Sequence, residues 1–236
     1  MIPERKTMLS NIKVIVFDAD DTLWDCQGHF EQVMQQLYDE LSPWSSHEEA
    51  ATELFATERK NMPLLGFGTK AFTLSLIETA LRVSGGNMPG ERLSFLLERG
   101  YSLLRLPATP LPGVLETLST LQREGRQMVL FTKGELLDQQ SKLERSGLAH
   151  FFSHVEITSD KGEPEFLSLC RHLHIAPAEM LMVGNSLKSD VAPALAIGAW
   201  AVHIPFHVTW ELEHTDDFDH ERLFRIEHFG ELLNIL

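Results

Sequence analysis

Short, continuously apolar runs alternate along the 236-residue chain with longer stretches whose apolar residues recur at helical spacing. Four of the runs end in polar residues: VIVF before Asp18, MVLF before Thr132, MLMV before Gly184, and WAVHI from Trp200 to Ile204. They lack the strict alternation of a half-exposed strand, and helical patterns lie between them, so they predict parallel strands covered on both faces. His154 to Ile157 is a weaker fifth strand.

After the first run the pattern changes, and from about Gln27 to Tyr101 the spacing is helical with almost no strand candidate. Phe30, Val33, Met34, Leu37 and Leu41 mark one helix face, closed by Ser42-Pro43. Further helices are predicted over His47 to Asn61, Thr69 to Val83 and Pro89 to Leu104, separated by PLLGFG and SGGN. The three prolines of LPATPLPG, residues 106–113, disfavour helix and stiffen a return to the sheet. The expected organisation is an α/β core built from residues 1–24 and 107–236, with a Rossmann-like parallel sheet, and a helical cap inserted at 25–106. No function is assigned to the acidic, aromatic tail from Phe206 to Leu236.

Composition narrows the partners. The formal charge is -14 at pH 7, a surface that repels nucleic-acid backbones and anionic lipid headgroups, so neither is expected as a partner. No apolar run approaches the length of a membrane span, and the start, MIPERKTMLSN, lacks the apolar core of a secretory signal. With only Cys26 and Cys170, a reducing cytoplasmic location is expected. A phosphate-handling site in so acidic a chain needs local lysines, backbone amides or a bound cation.

The polar residues at the strand ends supply that chemistry. Ligands of an open parallel sheet bind beyond the carboxyl ends of its strands, where DADDT falls, and alternation of side chains lets Asp18 and Asp20 face one pocket. One carboxylate can attack phosphorus while the other moves the proton; a solvated acidic loop is the bland alternative. After the second strand, the Thr132 hydroxyl and the amides of Lys133 and Gly134 are candidate phosphate donors, against a simple turn before a helix. Lys161 could neutralise a carboxylate and a phosphate together, or be one more surface charge. After the fourth strand, Asn185 and, behind it, Asp190 would join Asp18 and the Asp20 carbonyl as hard oxygen ligands suited to Mg²⁺, or merely cap the next helix. Lys70, in the glycine-flanked segment Gly66 to Lys70, is a weaker candidate for substrate contact. None of the 11 histidines shows an HExxH arrangement, and Cys26 has no histidine set beside it for a thiol mechanism.

Taken in order, DADDT at 18–22, FTKG at 131–134, Lys161 in DKGEPEF and GNSLKSD at 184–190 resemble the signatures of the haloacid dehalogenase-like hydrolase superfamily. The insertion is similar to that family's C1-type cap, and LPGV at 111–114 to its re-entry into the core. The resemblance implies a Mg²⁺-dependent phosphatase acting on a small phosphorylated metabolite. It implies Asp18 as nucleophile and metal ligand, Asp20 as acid/base, and Thr132 and Lys161 as phosphoryl binders, with the amides after Asp18, starting at Ala19, completing the cradle. An acidic residue at position 20 argues against dehalogenation. This chain departs from the pattern with Asn185 where Asp is commonest, Lys133 where Asn is frequent, and no proline directly after Lys161. A phosphomutase using the same residues, and a non-catalytic binding module on the same fold, are the alternatives.

Overall fold

The computed structural model describes residues 9–236; residues 1–8, part of the first expected core segment, lie outside them. Its centre is a six-stranded parallel sheet of β1 (Val14–Phe17), β2 (Gln127–Lys133), β3 (His154–Thr158), β4 (Met180–Gly184), β5 (Trp200–His203) and β6 (Leu223–Arg225), in the order β3-β2-β1-β4-β5-β6. This is the Rossmann-like α/β arrangement the apolar runs predict. All four residues of β1 and all five of β4 are buried, as continuous apolar runs require when helices cover both faces. One face packs Ile15, Phe17, Leu130 and Leu181 into the larger cluster; the other packs Val14, Val16, Val129 and Met182 against Phe166 and Leu169.

Between β1 and β2 lie α1 (Gln27–Leu41), α2 (His47–Leu65), α3 (Thr69–Val83) and α4 (Gly90–Leu103), followed by α5 (Val114–Arg123) on the sheet side. The four helices of the insertion have a hydrophobic cluster of their own, centred on Leu37, Leu41, Leu54, Leu76 and Leu96. Val33, Leu37 and Leu41 are buried as the spacing predicts, whereas Phe30 and Met34 are half-buried because they face a cavity instead. Ser46 starts α2 with a capping box, its Oγ accepting from the Glu49 amide while Glu49 accepts from the Ser46 amide. This helix runs four residues beyond the expected Asn61. Pro63 falls in its last turn and gives up only its own N–H bond, and Gly66 (φ +70°) ends it.

The remaining helices are α6 (Leu136–Ser146), α7 (Glu163–His172), α8 (Ala192–Ala196) and α9 (Leu232–Ile235). One π-turn over Leu187–Val191 precedes α8, where the sequence reading has only a plain helix following the fourth strand. The tail is the main difference. It contributes β6 at the sheet edge, and Phe229 and Leu232 enter the large core, with the Phe229 ring stacked 5.9 Å from that of Phe17. Three residues with one buried side chain, Phe224, are too short a pattern to read as a strand.

Candidate active site

The ends of β1, β2 and β4 and the loop after β3 contribute to one cavity of about 180 Å³. Because β1 is central, with β2 and β4 in register on either side, the residue after Phe17 emerges between the ends of both neighbours. That residue is Asp18. Its Oδ1 accepts from Lys161 Nζ at 2.5 Å and its Oδ2 from Thr22 Oγ1 at 3.0 Å. The same Thr22 hydroxyl lies 3.1 Å from Asn185 Oδ1 and accepts from the Asn185 amide. Asp18 and Asn185, 167 positions apart in sequence, thus turn oxygens toward one point.

The π-turn explains Asp190. The extra residue in the turn folds its carboxylate back so that Oδ1 meets Lys161 Nζ at 2.7 Å and Oδ2 accepts from the Ser186 amide at 3.0 Å. Gly184 makes this possible, since a Cβ there would fall 2.3 Å from Asp190 Oδ2. Lys161, 4% exposed, is therefore shared by two carboxylates. Burial alone would lower its pKa, but Asp18 and Asp190 raise it, so it stays charged. For Asp18, burial and then the Asp190 charge outweigh Lys161 and push its pKa up to about 7. Two buried carboxylates against one ammonium leave an excess of negative charge, and the converging donors are hard oxygens. This combination is chemically compatible with Mg²⁺ beside Asp18 and Asn185, with Asp190 behind them. Among the described residues, no group of three or more His, Cys, Asp or Glu side chains is arranged to hold a metal.

Asp20 points into the same cavity but is held differently. Lys142 Nζ bonds both its oxygens, at 2.8 and 2.7 Å, with Gln139 Nε2 at 2.9 Å and Trp24 Nε1 at 2.7 Å. Burial would raise its pKa, yet Lys142 and these donors hold it below the usual value. In this arrangement Asp20 is ionised. The loop that follows Asp20 turns sharply at Asp21 (φ 62°), whose carboxylate accepts from the Cys26 and Gln27 amides and so ties down the start of α1.

Of the other sequence candidates, Thr132 lines the cavity and accepts from Gln139 Nε2 at 3.1 Å. The Gly134 amide is donated to the Thr158 carbonyl and so is not free for phosphate, whereas the amides of Ala19 and Asp20 have no protein acceptor among the described residues. Lys133 reaches the cavity with its side chain, bonding Ser189 Oγ at 2.8 Å and pairing with Glu213. Lys70 does not line the cavity. It is half-exposed and paired with Glu135 at 2.9 Å. Its neighbours Phe67, Gly68 and Thr69 form the wall instead.

The sequence profile of haloacid dehalogenase-like hydrolases matches residues 12–198. The chain belongs to this family. A glyceraldehyde 3-phosphate phosphatase of Methanopyrus kandleri is 26% identical over 95% of the chain and 97% of its own length. A ribulose-1,5-bisphosphate 5-phosphatase of Halopiger xanaduensis is 27% identical over 94% and 98%. A haloacid dehalogenase-like hydrolase of Xanthomonas campestris superposes with a TM-score of 0.83 at 30% identity, covering 92% of the chain and 87% of its own. Family and relatives together make this a haloacid dehalogenase-like phosphatase.

Several residues carry no role in the sequence reading: Glu58, Asp138, Gln139, Lys142 and Glu213 of this hydrolase's cavity, and Thr22, which bonds Asp18 and Asn185 behind it. Thr22 lies inside the DADDT motif and could have been found there. Asp138, Gln139 and Lys142 follow FTKG at helical spacing, so one face of α6 looks back at the strand ends, which is the only local signal they give. Glu213 accepts from Ser186, Ser189 and Lys133 across the sheet, and nothing near it in sequence announces this.

Proposed function

We propose that the protein is a Mg²⁺-dependent phosphomonoester hydrolase acting on a small phosphorylated metabolite through an aspartyl-phosphate on Asp18. The observation that carries this is the clamped Asp18 carboxylate, fixed by Lys161 on one oxygen and Thr22 on the other, with the Asn185 oxygen turned to the same hydroxyl. A nucleophile so held has one accessible trajectory, in line with the bond to the leaving oxygen. Mg²⁺ bound by Asp18, Asn185 and the Asp20 carbonyl would offset charge on the phosphoryl oxygens. Lys161, the Thr132 hydroxyl and the Ala19 and Asp20 amides complete the cradle.

Asp18 forms the bond to phosphorus as the bond to the leaving alcohol breaks. Asp20 gives the departing oxygen a proton, for which it must take one up and let Lys142 withdraw. Returned to the ionised state seen here, it takes a proton from water as the water attacks the aspartyl-phosphate and releases phosphate. Residues 25–106 are read as a C1-type cap and residues 1–24 with 107–236 as the core domain. The named activities of relatives such as those of Methanopyrus and Halopiger support a sugar-phosphate-sized substrate. Both cysteines are free, in keeping with a cytoplasmic location.

The test is Asp18→Asn. Phosphate release in the presence of Mg²⁺ is expected to fall by about 10³-fold or more, with an unchanged melting profile; chelation by EDTA should silence the wild type in the same assay. Retained turnover in the variant would remove Asp18 from the role of nucleophile.

A further inference from the structure

The wall opposite the nucleophile is made by α1, α2, α3, the start of α6 and the tail segment from Val208 to Glu213. Much of it is apolar: Phe30, Met34, Met62, Phe67, Phe72 and Trp210. Glu58 stands among them, 8% exposed. Its side-chain partner is the Trp210 indole, and no lysine or arginine of the described residues pairs with it. Elsewhere on the lining, at the foot of α6, Glu135 Oε2, Asp138 Oδ1 and Gln139 Oε1 have no protein donor among the described residues. Asp138 and Gln139 are 5% and 4% exposed, so these oxygens are not simply facing bulk water.

The cations on the cavity lining are Lys133, Lys142 and Lys161, and each is already matched, to Glu213, to Asp20, and to Asp18 with Asp190. Lys70, in the first turn of α3, is paired with Glu135 and does not line the cavity. Acceptors are thus in surplus on the leaving-group side, and among the described residues no unmatched cation lines the cavity. A second anion on the substrate would be desolvated there without a counter-charge, beside Glu58. A hydroxyl or ammonium would instead donate to Glu58, which has no cationic partner among the described residues.

We propose that this site accepts phosphomonoesters whose leaving alcohol carries hydrogen-bond donors and no second anion, a polyol or an amino alcohol, with Glu58 as the residue that reads it. The inference rests on the phosphatase reading and narrows its substrate class. Glu58 acts on the leaving group and not on the phosphoryl group, so it is separable from the Asp18 chemistry.

The experiment compares kcat/KM with Mg²⁺ for sn-glycerol 3-phosphate and phosphoethanolamine against phosphoglycolate and 3-phosphoglycerate, with p-nitrophenyl phosphate as the common reference. The first two are expected to exceed the last two by about tenfold or more, and Glu58→Gln to narrow that gap, most for phosphoethanolamine if the ammonium is what is read. Anionic esters turned over as well as the others by the wild type, or a gap unaltered in a folded Glu58→Gln variant, would overturn the proposal. If p-nitrophenyl phosphate and every ester survive intact, the phosphatase reading fails by itself. Calorimetric binding of the same four esters then decides the inference: tighter binding of the polyol and ammonium esters supports it, and equal or weaker binding overturns it.

Discussion

Glu58 carries the clearest electrostatic signature of any single residue in the insertion. Burial raises its pKa from the ordinary 4.5 to about 7, with only the Trp210 indole pulling the other way, and the nearby Tyr38 phenol is pushed up to about 12 by burial, then by Glu58 and Glu31. Between pH 4.5 and 7 the folded chain keeps a proton that the unfolded chain has lost, so the group erodes stability as pH rises through that window. Glu58→Gln should therefore leave denaturant stability nearly unchanged below pH 4.5 and raise it above pH 7, on the order of 2 kcal/mol or less. Urea titrations at the two ends of that range measure the difference, and equal effects at both would show the carboxyl to be ordinarily solvated. At this scale the sequence was informative wherever chemistry follows a strand. Asp18, Asp20, Thr132, Lys161, Asn185 and Asp190 all reach one cavity because parallel strands deliver their ends to one edge. Glu58, Gln139 and Lys142 were silent because a polar residue inside a helix looks the same in sequence whether it faces water or a cavity, and only packing of the insertion on the core decides.

Among elements, the α3 and α4 pair shows why pattern alone does not set the details. Helix propensity says that Gly100, inside α4, weakens its helix by about 0.5–1 kcal/mol relative to alanine. The neighbouring helix says otherwise, since a Cβ at Gly100 would lie 2.3 Å from Thr73 Oγ1 and 2.4 Å from its methyl. Thr73 is buried and bonds the Thr69 carbonyl at 2.7 Å, so it has little freedom to move aside. Overpacking of this kind costs about 1–3 kcal/mol and outweighs the propensity gain. Gly100→Ala is thus expected to lower the melting temperature, and a rise would mean the helices separate more freely than their contact implies. The same contest of short and long range explains the two elements that differ from expectation. The π-turn at Leu187–Val191 is selected by what Asp190 must reach, and β6 by what Phe224 and Phe229 must cover, neither of which is a local preference.

Over the whole molecule, the insertion, with its own hydrophobic cluster, meets the sheet domain across the cavity through several polar and aromatic side chains. Thr69 donates to Asp138 at 2.9 Å, Lys70 pairs with Glu135, and the Phe67 ring takes Lys133 Nζ on its face at 4.1 Å and meets Trp210 edge-on at 5.8 Å. Phe67 belongs to the loop between α2 and α3, and Trp210 to the tail, so the roof of the cavity is built from segments nearly 150 residues apart. This gives the tail, to which no role could be assigned from its composition, two jobs: an edge for the sheet and a wall for the site. Trp210 also supplies the indole that Glu58 holds. Its removal should loosen closure without touching Asp18, Asp20 or Lys161. Trp210→Ala is accordingly expected to raise KM for a polyol phosphate by about tenfold while kcat falls less, the pattern of lost binding and not of lost chemistry. Steady-state kinetics on a variant whose circular dichroism matches the wild type reads this directly. An unchanged KM would place the tail outside the closed cavity, and a loss confined to kcat would mean that Trp210 bears on the reacting groups themselves.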